Sequence, residues 1–172
     1  MLAPIVETER LILRGYTPAD FPEAVETWAD PEVVRYVSGR ASTPEETWAR
    51  LLRNAGLWSL LGYGYWAVEE KSSGRFIGDV GFGDFKRTMT PLLDGAPEIG
   101  WVLSRHAQGK GYATEAARAA LDWGERQWGQ KHTVCIIDPD NTPSLRVADK
   151  LGYAAIARST YKDHDVIVLR RG

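Results

Sequence analysis

Cysteine is nearly absent from this chain: Cys135 is the one thiol in 172 residues. That excludes an internal disulfide framework and makes the reducing cytoplasm the expected setting. Histidine is scarce as well. His106, His132 and His164 stand far apart, with no second ligand at metal spacing, so no metal site is expected. No apolar run approaches the roughly 20 residues needed to span a bilayer. The opening MLAPIVETERLILRGYTPAD mixes charge into its apolar stretch, unlike a secretory leader, and no membrane partner is expected. Basic excess is missing too: 21 Lys and Arg against 23 Asp and Glu argue against a nucleic-acid partner.

What is present fits one globular domain over residues 1–172. Hydrophobic residues make up 44% and charged residues 26%, and the length allows a full core. Seven tryptophans exceed what such a core requires. Trp28, Trp48, Trp58 and Trp66, with Tyr63 and Tyr65, crowd the first seventy residues. Most are expected in the core, and one or two in an aromatic-lined substrate cleft.

Glu9 to Tyr16 alternates like a half-buried strand. Thr17-Pro18 opens a helix to about Trp28, and Ser42-Thr43-Pro44 opens another to about Asn54. YWAVEEK and RFIGDVGFGDF read as a hairpin, with Gly78, Gly81 and Gly83 marking bulges or close backbone approach. Residues 86–96 form an irregular loop suited to substrate contacts. PEIGWVLS is a strand, and Tyr112 to Trp128 is a helix with one continuous apolar face. A buried strand at His132 to Asp138, a helix at Asn141 to Leu151 and two closing strands complete the chain. The class is α/β in the α+β sense: a mixed, mostly antiparallel sheet of about six to seven strands flanked by about four helices.

Between the strand ending at Ser104 and the helix starting near Tyr112 lies RHAQGKG. A helix start leaves N–H groups unpaired and carries the positive end of the dipole. Gly109 and Gly111 clear side chains from that spot, and Arg105 and Lys110 add charge, so a diphosphate fits. A Walker A loop fails, because Gly111 follows Lys110 where Ser or Thr is required. A dinucleotide fingerprint matches two of three glycines, with Thr114 at the third and Asp138 as ribose ligand. A dinucleotide-dependent oxidoreductase is therefore one alternative.

Gln108-x-x-Gly111-x-Ala113 resembles the pyrophosphate turn of the GCN5-related N-acetyltransferases. Glu98-Ile99-Gly100-Trp101, Gly111-Tyr112-Ala113-Thr114-Glu115-Ala116, Asn141-x-x-Ser144 and Lys150-Leu151-Gly152-Tyr153 resemble the branch acting on ribosomal-protein N-termini. So does the opening Glu9-Arg10-Leu11-Ile12-Leu13-Arg14. The resemblance implies acetyl-CoA as cosubstrate and direct transfer to a primary amine, of a peptide or a small molecule. It also admits a homodimer. A CoA-binding sensor without catalysis is the second alternative.

Such chemistry requires a deprotonated amine, a stabilised oxyanion and a proton for the leaving thiolate. Glu98 is the candidate base, Ser144 the candidate acid and Tyr153 its substitute. Asp79 and Asp84, on the neighbouring hairpin, are weaker candidates, suited to holding the substrate's cation. The resemblance places the Val102 N–H toward the acetyl oxygen, with Leu103 and Ser104 along the cofactor. Gln108, Gly109, Lys110, Gly111, Tyr112, Ala113 and Thr114 then hold the pyrophosphate. Gly100 suggests a bulge. Pro143 at the first helical position makes Thr142 the cap and leaves the Asn141 side chain to the cofactor. Cys135, mid-strand among apolar neighbours, reads as core rather than nucleophile.

Overall fold

Among the described residues eight strands form one sheet: β1 Val6–Glu7, β2 Leu11–Arg14, β3 Tyr65–Glu70, β4 Arg75–Gly83, β5 Glu98–Leu103, β6 Thr133–Ile137, β7 Ala154–Tyr161 and β8 His164–Arg171. Five helices accompany them: α1 Phe21–Ala29, α2 Pro31–Val34, α3 Pro44–Leu61, α4 Tyr112–Trp128 and α5 Thr142–Lys150. This computed structural model describes residues 2–93, 95–129 and 132–172. Strands β1 to β5 follow one another as an antiparallel meander. β6 lies parallel to β5 after the crossover through α4, β8 is antiparallel to β6, and β7 forms the far edge. A sheet with one parallel pair is not doubly wound, which removes the dinucleotide-fold alternative.

The extra strand and helix beyond those expected are β1 and α2, of two and four residues. Neither is long enough to show a period. α3 begins as the sequence signals: the Thr43 hydroxyl accepts from Glu46 N–H at 3.2 Å, and the Glu46 carboxylate accepts from Thr43 N–H at 2.9 Å. It runs past Asn54 to Leu61 and stops at Gly62, whose φ of 75° suits a glycine. Thr17 and Pro18 instead open a 3₁₀ turn, and the α-helix proper starts at Phe21.

The two faces of the sheet differ in chemistry. Against α4 lie Leu11, Leu13, Trp66, Val68, Ile77, Val80, Phe82, Ile99 and Leu103, all buried. Trp58, Trp66, Trp123 and Trp128 meet edge to face there, with ring centroids 4.6–5.5 Å apart. Most of the surplus tryptophan is thus core. The opposite face carries a smaller cluster of Ala24, Leu51, Ala67 and Phe76 under α1 and α3.

A bulge in β4 decides what else that second face presents. Val68 pairs with Gly78 and Glu69 with Phe76, so Ile77 has no partner on β3. The alternation slips by one residue. Ile77 points toward α4, and Asp79, two residues on, points toward α1. Gly78, at φ 149°, tolerates the bend and the Val102 carbonyl, which would lie 2.1 Å from an added Cβ.

Trp123→Ala should cost about 3–5 kcal/mol, because three tryptophan rings lose their common neighbour. Urea unfolding followed by far-UV circular dichroism measures it; a loss below about 1 kcal/mol would show that the cluster does not carry the core.

Candidate functional site

β5 is paired to β4 along its whole length, from Gly83↔Glu98 to Gly78↔Leu103. Toward β6 its ladder holds one register pair, Glu98 opposite Val134. Ser104 N–H donates to the Ile77 carbonyl of β4, and the Pro97 carbonyl accepts from Val134 N–H of β6. Backbone groups alternate sides along a strand, so even-numbered residues of β5 face β4 and odd-numbered ones face β6. The expectation for Val102 is corrected accordingly: its N–H and C=O turn toward β4, opposite Asp79. The groups aimed into the parting are those of Trp101 and Leu103. The Gly100 bulge is also absent, since the β4–β5 register is continuous.

At the end of β5 the chain makes a 3₁₀ turn at Arg105–Ala107 and passes through Gly109 and Gly111, at φ 75° and 80°. No side chain caps α4. Its first internal bond is Glu115 N–H to the Gly111 carbonyl, leaving the N–H groups of Tyr112, Ala113 and Thr114 pointing out of the helix start. The flanking side chains shape the turn. Gln108 folds back, its amide donating to the Leu103 carbonyl at 3.0 Å. Ser104 spends its hydroxyl on the Ile77 carbonyl. Arg105 is paired with Asp30 at 2.5 Å, so its charge is already matched. Lys110 stays half-exposed, 3.8 Å from Glu70.

A brace from the connection between β1 and β2, which sequence reasoning missed, fixes this turn. Arg10 donates to Glu115 at 2.7 Å and to the Lys110 carbonyl at 2.9 Å, and the Thr8 hydroxyl meets Glu115 at 2.6 Å. Arg10 and Glu115 were both in the motifs quoted above, but 105 residues of separation hide the pairing.

On the α1 and α3 face, across β4 and β5, lies a second group. Asp79 is 1% exposed and accepts from the Tyr16 hydroxyl at 2.5 Å and Trp28 Nε1 at 3.0 Å. Burial pushes its carboxyl up to about 6, against the opposing pull of those two donors. Asn54 of α3 donates to Tyr16 at 3.1 Å. Tyr65 crosses Gly81 to reach Gly100, where an added Cβ would stand 2.3 Å from its hydroxyl. Gly100 thus makes room for Tyr65. Glu98 is buried and held by both oxygens: Arg87 donates to them at 2.6 and 2.8 Å. The 86–96 loop delivers that arginine, anchored where Met89 packs on Val166 and Val168. Asp84 is taken up by its neighbour Lys86 at 2.6 Å.

Around β6 the corrections continue. Asn141, not Thr142, caps α5: its side-chain oxygen accepts from Ser144 N–H at 3.2 Å. Ser144 is half-buried in the first turn of α5, and its hydroxyl has no hydrogen-bond partner among the described residues. The Tyr153 hydroxyl is buried against Thr133 at 2.5 Å, and burial raises its pKa. Cys135 is buried, and burial pushes its thiol up, away from the thiolate a nucleophile needs. Asp138 spends one oxygen on Asp140 N–H. Among the described residues no cluster of His, Cys, Asp and Glu could hold a metal ion, and no helix is long and apolar enough to cross a membrane.

A family model described as acetyltransferase (GNAT) domain matches residues 10–154. The protein YkkB of Bacillus subtilis (strain 168) is 38% identical over 127 residues, which cover 72% of this chain and 69% of that one. A GnaT-family acetyltransferase from Bordetella pertussis has a similar structure, with a TM-score of 0.85 at 29% identity over 99% of this chain and 100% of that one. RimL, a ribosomal L7/L12 alpha-N-protein acetyltransferase solved in complex with coenzyme A, shares the fold. Its TM-score is 0.79 at 18% identity, over 98% of this chain and 97% of that one.

Gly111→Val places a branched side chain at φ 80°, where its Cβ meets Arg10 Nη2 at 3.5 Å. Calorimetric titration with acetyl-CoA should show affinity at least tenfold lower, with the circular dichroism spectrum retained. Unchanged affinity would put the phosphate elsewhere.

Proposed function

The chain belongs to the GNAT acetyltransferase family, and on that premise we propose that it moves acetyl from acetyl-CoA directly onto a primary amine of a peptide N-terminus or a small molecule. The family brings the cosubstrate with it: acetyl-CoA supplies an acetyl group activated as a thioester. One observation carries the assignment of its place. An uncapped helix start with two left-handed glycines stands at the end of the very strand that β6 leaves unpaired. Phosphate oxygens need the donors of the first feature, and an amide-bearing arm needs those of the second.

Gly109, Lys110, Gly111, Tyr112, Ala113 and Thr114 bind the pyrophosphate, while Gln108 and Ser104 hold the turn in shape. The N–H groups of Trp101 and Leu103 bind along the parted strand, flanked by Val102 and by the amide nitrogen of Asn141. The amine approaches from the side of α1 and α3, past the Tyr65 hydroxyl that lies over Gly100.

Two carboxylates face that approach, and their partners separate their roles. Glu98 is neutralised by a bidentate guanidinium and holds the 86–96 loop in place. Asp79 has only neutral donors and titrates near neutrality, as a base must if it is to accept an amine proton and release it again. It takes the amine proton beside the Tyr16 hydroxyl. The amine nitrogen then bonds to the acetyl carbon, the carbon–sulfur bond breaks, and Ser144 passes a proton to the thiolate while taking one from solvent water, as the proton on Asp79 returns to solvent.

Because Asp79 must be ionised to act, kcat/KM should fall about tenfold per pH unit below about pH 6. Asp79→Asn should lower kcat about 100-fold or more and abolish that acid limb, with acetyl-CoA affinity retained. Glu98→Gln should cost much less and keep the limb. Thiol release from acetyl-CoA with an amine acceptor, followed from pH 5 to 9, measures all three. The reverse ranking of the two variants would return the base role to Glu98.

A further inference from the structure

The amine-accepting face holds positive charge that no ion pair among the described residues balances. Arg50 and Arg53 stand one turn apart on α3, the helix that also supplies Asn54 to Tyr16. Arg50 lies flat on Trp28, with Cζ 3.6 Å from the ring centroid. Its Nε is buried and has no hydrogen-bond partner, the one such side-chain nitrogen or oxygen among the described residues. Neither arginine forms an ion pair among those residues. Arg53 touches only the Asn54 side-chain oxygen at 3.2 Å and the Phe85 ring, 5.4 Å from its Cζ. The third cation of this face, Arg87, is consumed by Glu98.

A charged N–H removed from water without an acceptor is costly, and proteins match such groups; Arg50 is half-buried, and its Nε is the part that water does not reach. The groups whose fields reach Arg50 are Arg53, which repels it, and Asp79, Tyr65 and Tyr16, which attract it. Burial, followed by Arg53, lowers its pKa. Asp79 attracts Arg50 through space but is not hydrogen-bonded to it, and its two oxygens accept from Tyr16 and Trp28. The planar fork of an arginine suits a carboxylate, which it binds through two parallel bonds.

We propose that Arg50 and Arg53 bind a carboxylate carried by the acceptor itself, so that the amine acetylated is that of a small amino acid. The proposal rests on the assignment of this face as the amine site. Anchored by its carboxylate at α3, such a molecule extends its amine toward Asp79 and the parting of β5 from β6. Charge also speaks against the opposite class. A polyamine or an aminoglycoside would bring cations against two guanidiniums that form no ion pair among the described residues.

The test sets each of the twenty amino acids against its own carboxamide, an otherwise identical amine, in the thiol-release assay with acetyl-CoA. Wild-type protein should acetylate at least one acid with a KM ten or more times below that of its amide. In Arg50→Gln that ratio should fall to within about threefold, with acetyl-CoA affinity by calorimetry unchanged. Equal turnover of acid and amide, a preference for polyamines or for uncharged peptide N-termini, or a ratio that survives Arg50→Gln would each overturn it. Transfer to none of these amines, with acetyl-CoA still bound, would instead overturn the amine site beneath it. A second readout needs no substrate. Relief of an unmatched buried charge should raise the melting temperature of Arg50→Met by about 2 °C or more. A fall would make Arg50 a structural cation packed on Trp28 and end the proposal.

Discussion

Everything at this site depends on one strand being hydrogen-bonded on one side and left open on the other. β5 is bound to β4 over six register pairs and to β6 at one, Glu98 with Val134. The single pair closes the sheet at one end, so the core on the α4 face stays continuous. Beyond it, the backbone of β5 has donors and acceptors without partners, an arrangement that sheets normally avoid. The same strand then feeds the glycine turn, and the turn feeds an uncapped helix. Three sets of unpaired N–H groups thus follow one another along fewer than twenty residues. They form one extended binding line rather than three defects.

The acceptor side shows how packing differentiates like groups. Asp79 and Glu98 are both buried carboxylates on neighbouring strands, and their surroundings oppose each other. One is buried against a phenol and an indole, and that burial makes it hold its proton up to about pH 6, well above an ordinary carboxylate. The other is clamped by a guanidinium that is itself stacked over Phe85 and Tyr161, at 5.0 and 4.6 Å. The bulge at Ile77 makes the difference: without its one-residue slip, Asp79 would point into the tryptophan cluster behind the sheet.

Local signals in the sequence were clear wherever the physics is local. The helix Tyr112 to Trp128, the Thr43–Glu46 capping box and the left-handed glycines of the turn all depend on neighbours within a few residues. What escaped was set across distance or by parity. The Val102 assignment failed because β5 has no bulge, and one residue of register exchanges the two sides of a strand. Asn141 took the cap from Thr142 because the helix begins one residue earlier than its proline suggests. Tyr16, Trp28, Arg50 and Arg87 carried no motif at all. They matter because three separate segments and a loop converge on β4 and β5, and no spacing in the chain encodes that convergence.

The brace between Thr8, Arg10 and Glu115 bears on how the protein is made as well as on how it binds. Its two halves lie 105 residues apart. At about 5–20 residues per second, a nascent chain waits roughly 5–20 seconds between the synthesis of Arg10 and that of Glu115. Through that interval the β1–β2 connection has nothing to brace, because the glycine turn does not yet exist. The binding line is therefore a late product of folding, assembled only after the β3–β4 hairpin and α3 have had time to form. A chain stalled before α4 can hold much of the sheet and still have nowhere to put a diphosphate.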